Sequence, residues 1–289
     1  MKLKLIALAA MLAASGVAHA KVSDSNEVGR TSGDLFANVW SVSQNASYTV
    51  DLGLSLEQFN AGNVNAAGIK LVWDLDGNTF TDMSAVASGV MVTQTLNYGS
   101  VFSTFAAPNV AGAADLKFDV KAMDGTPTGL PGAGTNRYLS TSFANSITAT
   151  NGQVFNMDAW DAILNASNND TTNSTHGTDL NVAGANMFDG GDASNVNVKA
   201  GGEQWATQVS FNSSGATNGP LNFYFLTNTS TTAASQASVS KFAGQWTFDV
   251  ATAQLTYATA PVPEAETYAM MLAGLGLVGF MAARRRKLA

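Results

Sequence analysis

From Leu35 onward the apolar residues of this chain recur mostly at every second position, a period that buries one face only as a β-strand. Phe36, Asn38 and Trp40 alternate with Leu35, Ala37 and Val39. After a turn at Ser43-Gln44-Asn45, Tyr48, Val50, Leu52 and Leu54 alternate with small or polar residues, which makes the pair a hairpin. Further strands are expected over Ile69 to Trp73, Val90 to Tyr98, Leu116 to Met123, Tyr138 to Thr141, Gln208 to Phe211 and Leu221 to Thr227. In Gln245 to Ala258, Trp246, Phe248 and Val250 share a face, Ala251-Thr252-Ala253 turns, and Leu255 and Tyr257 return as a last hairpin. Strands at this spacing, bounded by Asn, Gly and Ser, predict an all-β body, mainly an antiparallel β-sandwich, with one or two short helices.

The helices are marked by a different period. Val154, Met157, Trp160, Ile163 and Leu164 form one stripe over Gln153 to Asn165. Ser55-Leu56-Glu57-Gln58 has the spacing of a capping box opening a shorter helix. Between Ser167 and Asn195, dense Asn, Asp, Gly and Thr read as a long surface loop.

The termini depart from this pattern. Met1 to Lys4 is a short cationic stretch, Leu5 to Ala14 is apolar, and Ala18-His19-Ala20 is a small-x-small cleavage site, so residues 1–20 read as a secretory signal peptide using Sec export and signal peptidase. The exported body then covers 21–260, and the tail 261–289 has three parts. Residues 261–267 are proline-bounded and acidic, 268–283 are sixteen residues without a charge, and 284–289 hold Arg284, Arg285, Arg286 and Lys287. As a helix the middle part covers about 24 Å, enough for a single transmembrane helix when the cationic side chains snorkel to the headgroups. Those charges stay cytoplasmic and act as a basic stop.

Val262-Pro263-Glu264, followed by the Gly-Leu-rich apolar run and the Arg cluster, resembles the PEP-CTERM sorting signal of bacterial proteins handled by exosortase. That family usually reads Pro-Glu-Pro, and Ala265 stands at the third position here. The resemblance implies export through the inner membrane, a transient anchor there, exosortase processing near Pro263-Glu264 and delivery to the cell surface or beyond. It also implies exopolysaccharide as a matrix partner, and it covers only the tail.

Charge and chemistry narrow the body. Of 14 Lys+Arg, two fall in 1–20 and four in the tail; of 21 Asp+Glu, two fall in the tail. Residues 21–262 therefore keep 8 basic and 19 acidic side chains, a balance of −11. Nucleic acid needs a basic face and is not an expected partner. There is no cysteine, which excludes thiolate metal sites, thiol catalysis and redox chemistry, and a body of this length buries a core without disulfides.

His176, the one histidine after the signal peptide, lies in the polar loop without a nucleophile-elbow sequence. Asp74, Asp76, Asn78 and Asp82 have calcium-loop spacing, but the sixth and twelfth positions are Thr79 and Ala85, so an Asx-rich turn is expected and no metal site. Trp40, Trp73, Trp160, Trp205 and Trp246 are candidates for a sugar platform or for the core.

The expectation is a non-enzymatic exported surface or matrix protein without a cofactor. A carbohydrate-binding module would differ by lining up exposed Trp or Tyr, and a secreted hydrolase by a cleft of converging carboxylates with shifted pKa values.

Overall fold

A computed structural model describes residues 33–41, 43–44, 46–61, 64–83, 92–96, 100–107, 112–125, 132–157, 180–182, 185–189 and 211–260. The signal peptide and the tail lie outside these, as do Trp160, His176 and Trp205. The first strands are β1 (Asp34–Ser41), β2 (Ala46–Ser55), β3 (Lys70–Asp74), β4 (Thr79–Asp82), β5 (Val92–Thr95), β6 (Lys117–Asp124) and β7 (Arg137–Ser142). They are followed by β8 (Leu180–Val182), β9 (Ala185–Asp189), β10 (Gly215–Ala216), β11 (Leu221–Thr227), β12 (Ser238–Asp249) and β13 (Gln254–Ala258). Among the described residues three short helices interrupt them: α1 (Leu56–Ala61), α2 (Val101–Ala106) and α3 (Asn151–Asn156).

Among the described residues these strands form one antiparallel sheet in the order β5-β4-β3-β13-β12-β11-β7-β6-β1-β2-β9-β8, with β10 alongside β6. The antiparallel class stands, but the expected pair of facing sheets is replaced by a single sheet curled as a half-barrel. The ladder is irregular where β11 meets β12. Asn222 faces Gln245 while Tyr224 faces Lys241, so β12 carries two extra residues there, and extra residues in one strand sharpen the local twist. Gly244 sits in this stretch, and a Cβ there would collide with the Tyr257 ring.

Curling brings the inner faces of both halves onto one core. Leu35, Val39, Phe118 and Val120 from one half share it with Leu71, Trp73, Phe80 and Leu255 from the other. Phe59 of α1 fills the middle, with ring centroids 5.2 Å from Tyr257, 5.3 Å from Phe223 and 5.6 Å from Phe242. The capping box holds α1 in place: Gln58 N–H donates to Ser55 Oγ at 3.2 Å and Ser55 N–H to Gln58 Oε1 at 2.8 Å. Arg137 then ties α1 to the sheet by donating to Glu57 Oε2 at 2.7 Å while pairing with Asp124.

The outer face is not uniform. β12 alternates buried and exposed residues, so its outer side meets water, whereas all eight residues of β1 are buried. Phe36, Trp40, Met123, Tyr138 and Tyr224 are covered by Ile147, Val154, Met157 and Phe211 in a second apolar cluster. Val154 and its C-cap Met157 belong to α3, which starts at Asn151 behind a Thr150–Gln153 capping box; the rest of the expected helix, 158–165, lies outside the described residues.

The expected loop from Ser167 to Asn195 contains the β8–β9 hairpin, whose backbone pairs Ala185 to Asp189 with Val50 to Ala46 of β2. Strands of three and five residues are too short to show a clear period, and the edge of β2 supplies what holds them. The Gln208 to Phe211 strand is not found at Phe211, which lies in a bend, and 208–210 are outside the described residues.

One carboxylate fastens the β1–β2 turn to the entry of β6. Asp115 accepts from Ser41 Oγ at 2.7 Å, Ser43 N–H at 2.7 Å and Ser43 Oγ at 2.8 Å. Desolvation pushes its pKa up, but these hydrogen bonds outweigh it and hold the carboxyl at about 2.

Two outcomes follow from this packing. Phe59→Ala should lower unfolding stability by about 3–5 kcal/mol in a denaturant titration, because the cavity lies among rings that cannot collapse onto it. The Asp115 pKa is depressed on folding, so its contribution is full above the unfolded value of about 3.9 and is lost as pH falls toward about 2. Melting temperatures measured from pH 5 to 2 should therefore fall less steeply in Asp115→Ala than in the parent.

Candidate functional site

On the covered outer face, β1 and β6 are in register with Asn38 opposite Asp119 and Phe36 opposite Lys121. The inner face takes Phe118, Val120 and Ala122, so Asp119 and Lys121 both point outward into the layer that seals this half of the sheet. Asn38, Asp119, Lys121 and Ser213 are completely buried and Thr49 nearly so. Asp119 Oδ1 accepts Asn38 Nδ2–H at 2.7 Å, and Oδ2 pairs with the Lys121 ammonium. Ser213 Oγ donates to Oδ2 at 3.4 Å, and Thr49 Oγ1 donates to Asn38 Oδ1 at 2.8 Å.

Desolvation dominates the titration of both charged groups. It raises the Asp119 pKa against the pull of Lys121, Asn38 and Ser213, and it lowers that of Lys121 against the pull of Asp119. A buried pair with these hydrogen bonds is tolerated, whereas either partner alone would be costly. None of these five residues stood out in the sequence. Asp119 and Lys121 alternate with apolar residues in Lys117 to Asp124, which reads as a strand with one solvated face; only the covering layer reveals that the face is closed.

A second feature is open to water. Phe143 follows β7, is 61% exposed, and is the exposed large apolar residue among those described. It forms one wall of a groove of about 270 Å³ with Ile147 and Phe211, while Ser146, Thr148 and Asn212 supply polar groups. Hydrogen bonds from Tyr224 Oη and Asn222 Nδ2 to the Ala144 carbonyl, at 2.6 and 2.9 Å, hold the wall in place. Its signal in the sequence was one aromatic between small polar residues, too weak to separate from a core position.

The residues weighed from the sequence are placed as follows. Trp40, Trp73 and Trp246 are fully buried, and Trp73 donates Nε1–H to the Leu52 carbonyl at 2.9 Å, so these three serve the core. Asp74, Asp76 and Asn78 lie in or beside the β3–β4 turn, where Asp74 Oδ1 accepts Gly77 N–H at 2.6 Å. Asp82 stands at the far end of β4, about 10 Å along the strand from Thr79. The four do not converge, and among the described residues no group of three or more His, Cys, Asp or Glu is arranged to hold a metal ion. Among the same residues no helix is long and apolar enough to cross a membrane, and 268–283 lie outside them.

Ala18 and Ala20 of the cleavage site, Val262-Pro263-Glu264 and Arg284 to Lys287 also lie outside the described residues. The last described residues are tied down, with Thr259 Oγ1 donating to the Ala66 carbonyl at 2.7 Å and the Ala260 carbonyl accepting Gly68 N–H at 2.9 Å. The next residue opens the match with a known family: residues 261–287 match the PEP-CTERM protein-sorting motif. No curated protein and no solved structure matches the chain. The chain thus carries, directly after its last strand, a PEP-CTERM protein-sorting motif, which marks it as an exported protein addressed to exosortase, with a transient membrane anchor before the cell surface or the exterior.

Proposed function

We propose that the body is a non-enzymatic surface or matrix protein, released by exosortase near Pro263-Glu264 and residing among exopolysaccharide in a biofilm or similar matrix. The observation that carries this reading is the sorting motif over 261–287. Its position fits a cut that spares the fold. β13 pairs with β12 on one side and β3 on the other, and the chain is pinned as far as Ala260, so these described pairings all lie before the cut. The balance of −11 over 21–262 keeps such a body soluble in a hydrated, neutral or acidic glycan.

The test is an intact-mass measurement of the released protein with and without exosortase, together with the double variant Pro263→Ala/Glu264→Ala. Neither substitution touches the apolar run, so insertion should be retained while an uncut, membrane-bound precursor accumulates. A double variant cut and released as the wild type is would refute the reading.

The Phe143 groove favours a second reading, a carbohydrate-binding module. An exposed ring beside hydroxyl and amide groups suits the apolar face of a sugar and its hydroxyl rim. Phe143→Ala should then weaken retention on the producing strain's own polysaccharide by several-fold to about tenfold with an unchanged melting temperature. Equal retention of variant and parent would remove this reading.

A further inference from the structure

The buried group on β1 and β6 contains more than an ion pair requires. Asp119 and Lys121, two residues apart on one strand, already neutralise each other, yet the same carboxylate also holds the carboxamide of Asn38 from the neighbouring strand. Its two oxygens hold Lys121 Nζ and Asn38 Nδ2 on the same carboxylate, one nitrogen on each oxygen. The Thr49 hydroxyl donates to the carbonyl oxygen of that carboxamide at 2.8 Å. The set therefore includes an amine, a proton-transfer group touching both amine and leaving nitrogen, an acyl carbon, and a donor on the oxygen where negative charge would develop. All are shut away from water.

We propose that Lys121 and Asn38 become joined by an intramolecular amide bond that the folded chain forms by itself. Asp119 takes a proton from the Lys121 ammonium, leaving a neutral amine whose lone pair attacks Asn38 Cγ. The Cγ–Oδ1 π electrons move onto Oδ1, where the Thr49 hydroxyl stabilises them. Asp119 relays a proton to Nδ2, the Cγ–Nδ2 bond breaks as the carbonyl re-forms, and ammonia leaves. It departs as ammonium with the remaining proton, restoring the Asp119 carboxylate. One C–N bond forms and one breaks, and no oxidant or other reactant is consumed.

Desolvation favours the first step, since it raises Asp119 and lowers Lys121 toward the neutral pair. Exclusion of water protects the acyl carbon from hydrolysis. The product would tie β1 to β6 across a loop of roughly 80 residues, a constraint like that of a disulfide in a chain that has no cysteine.

Mass spectrometry of the purified full chain decides this. The intact protein should be lighter than its processed sequence by one ammonia, about 17 Da. After denaturation and trypsin, peptide 31–70 should be found joined to peptide 118–137, with no cleavage after the acylated Lys121. Lys121→Arg retains the charge but lacks the amine nucleophile, and should release peptide 31–70 free at its unmodified mass. If this variant fails to fold, the wild-type digest still decides. Free, unmodified 31–70 and cleavage after Lys121 in the folded wild-type protein would overturn the proposal. So would loss of one water, about 18 Da, with the link confined to peptide 118–137, since that product is an Asp119–Lys121 amide.

Discussion

Tyr257 lies against the backbone of Gly244, and this contact allows a wide antiparallel sheet to enclose a single core. The Gly244 N–H donates to the Tyr257 hydroxyl at 3.2 Å, and that hydroxyl in turn donates to the Val64 carbonyl at 3.2 Å. Any side chain at Gly244 would occupy the space of the ring. The extra residues of β12 sharpen the twist at the same place, and β3, β4 and β13 share one core with β1 and β6. A flat sheet would leave those apolar faces to find separate partners; the curled one gives them each other, with Phe59 between.

The curl also explains why the two halves of the sheet differ. On the β12 side the outer face is hydrated and alternates as an antiparallel strand should. On the β1–β6 side a second layer, contributed by the chain after β7 and by α3, closes over the outer face as well. Polar side chains that would otherwise be solvated are trapped there. Asn38, Thr49, Asp119, Lys121 and Ser213 meet this by bonding to one another, which makes them a fixed constellation instead of a mobile surface. The burial that makes the ion pair costly also shifts its amine and carboxyl toward their neutral forms.

Body and tail are physically separate in their tasks. Among the described residues the core runs to Tyr257, the backbone pairing runs to Thr259 and Ala260 against Ile69 and Gly68, and the sorting motif begins one residue later. The motif reports where the protein is sent and leaves the work of the body to its own surface. Among the described residues the Phe143 groove brings an aromatic ring and polar groups to water together.

The hairpins of Phe36 to Leu54 and Trp246 to Tyr257 were legible from alternation, the α1 cap from four residues, and the tail from its three-part order, because each depends on neighbours along the chain. Other features were set by partners far away in sequence. β8 and β9 add to an edge that β2 provides, and whether the strands form two sheets or one turns on a bulge and a glycine opposite a tyrosine. In the same way, Asp119 and Lys121 looked like a solvated strand face until a later segment covered them. Local spacing, in short, fixes which faces are apolar, while long-range packing decides what each remaining face meets, and that determines whether a charge is solvated or buried beside a reactive neighbour.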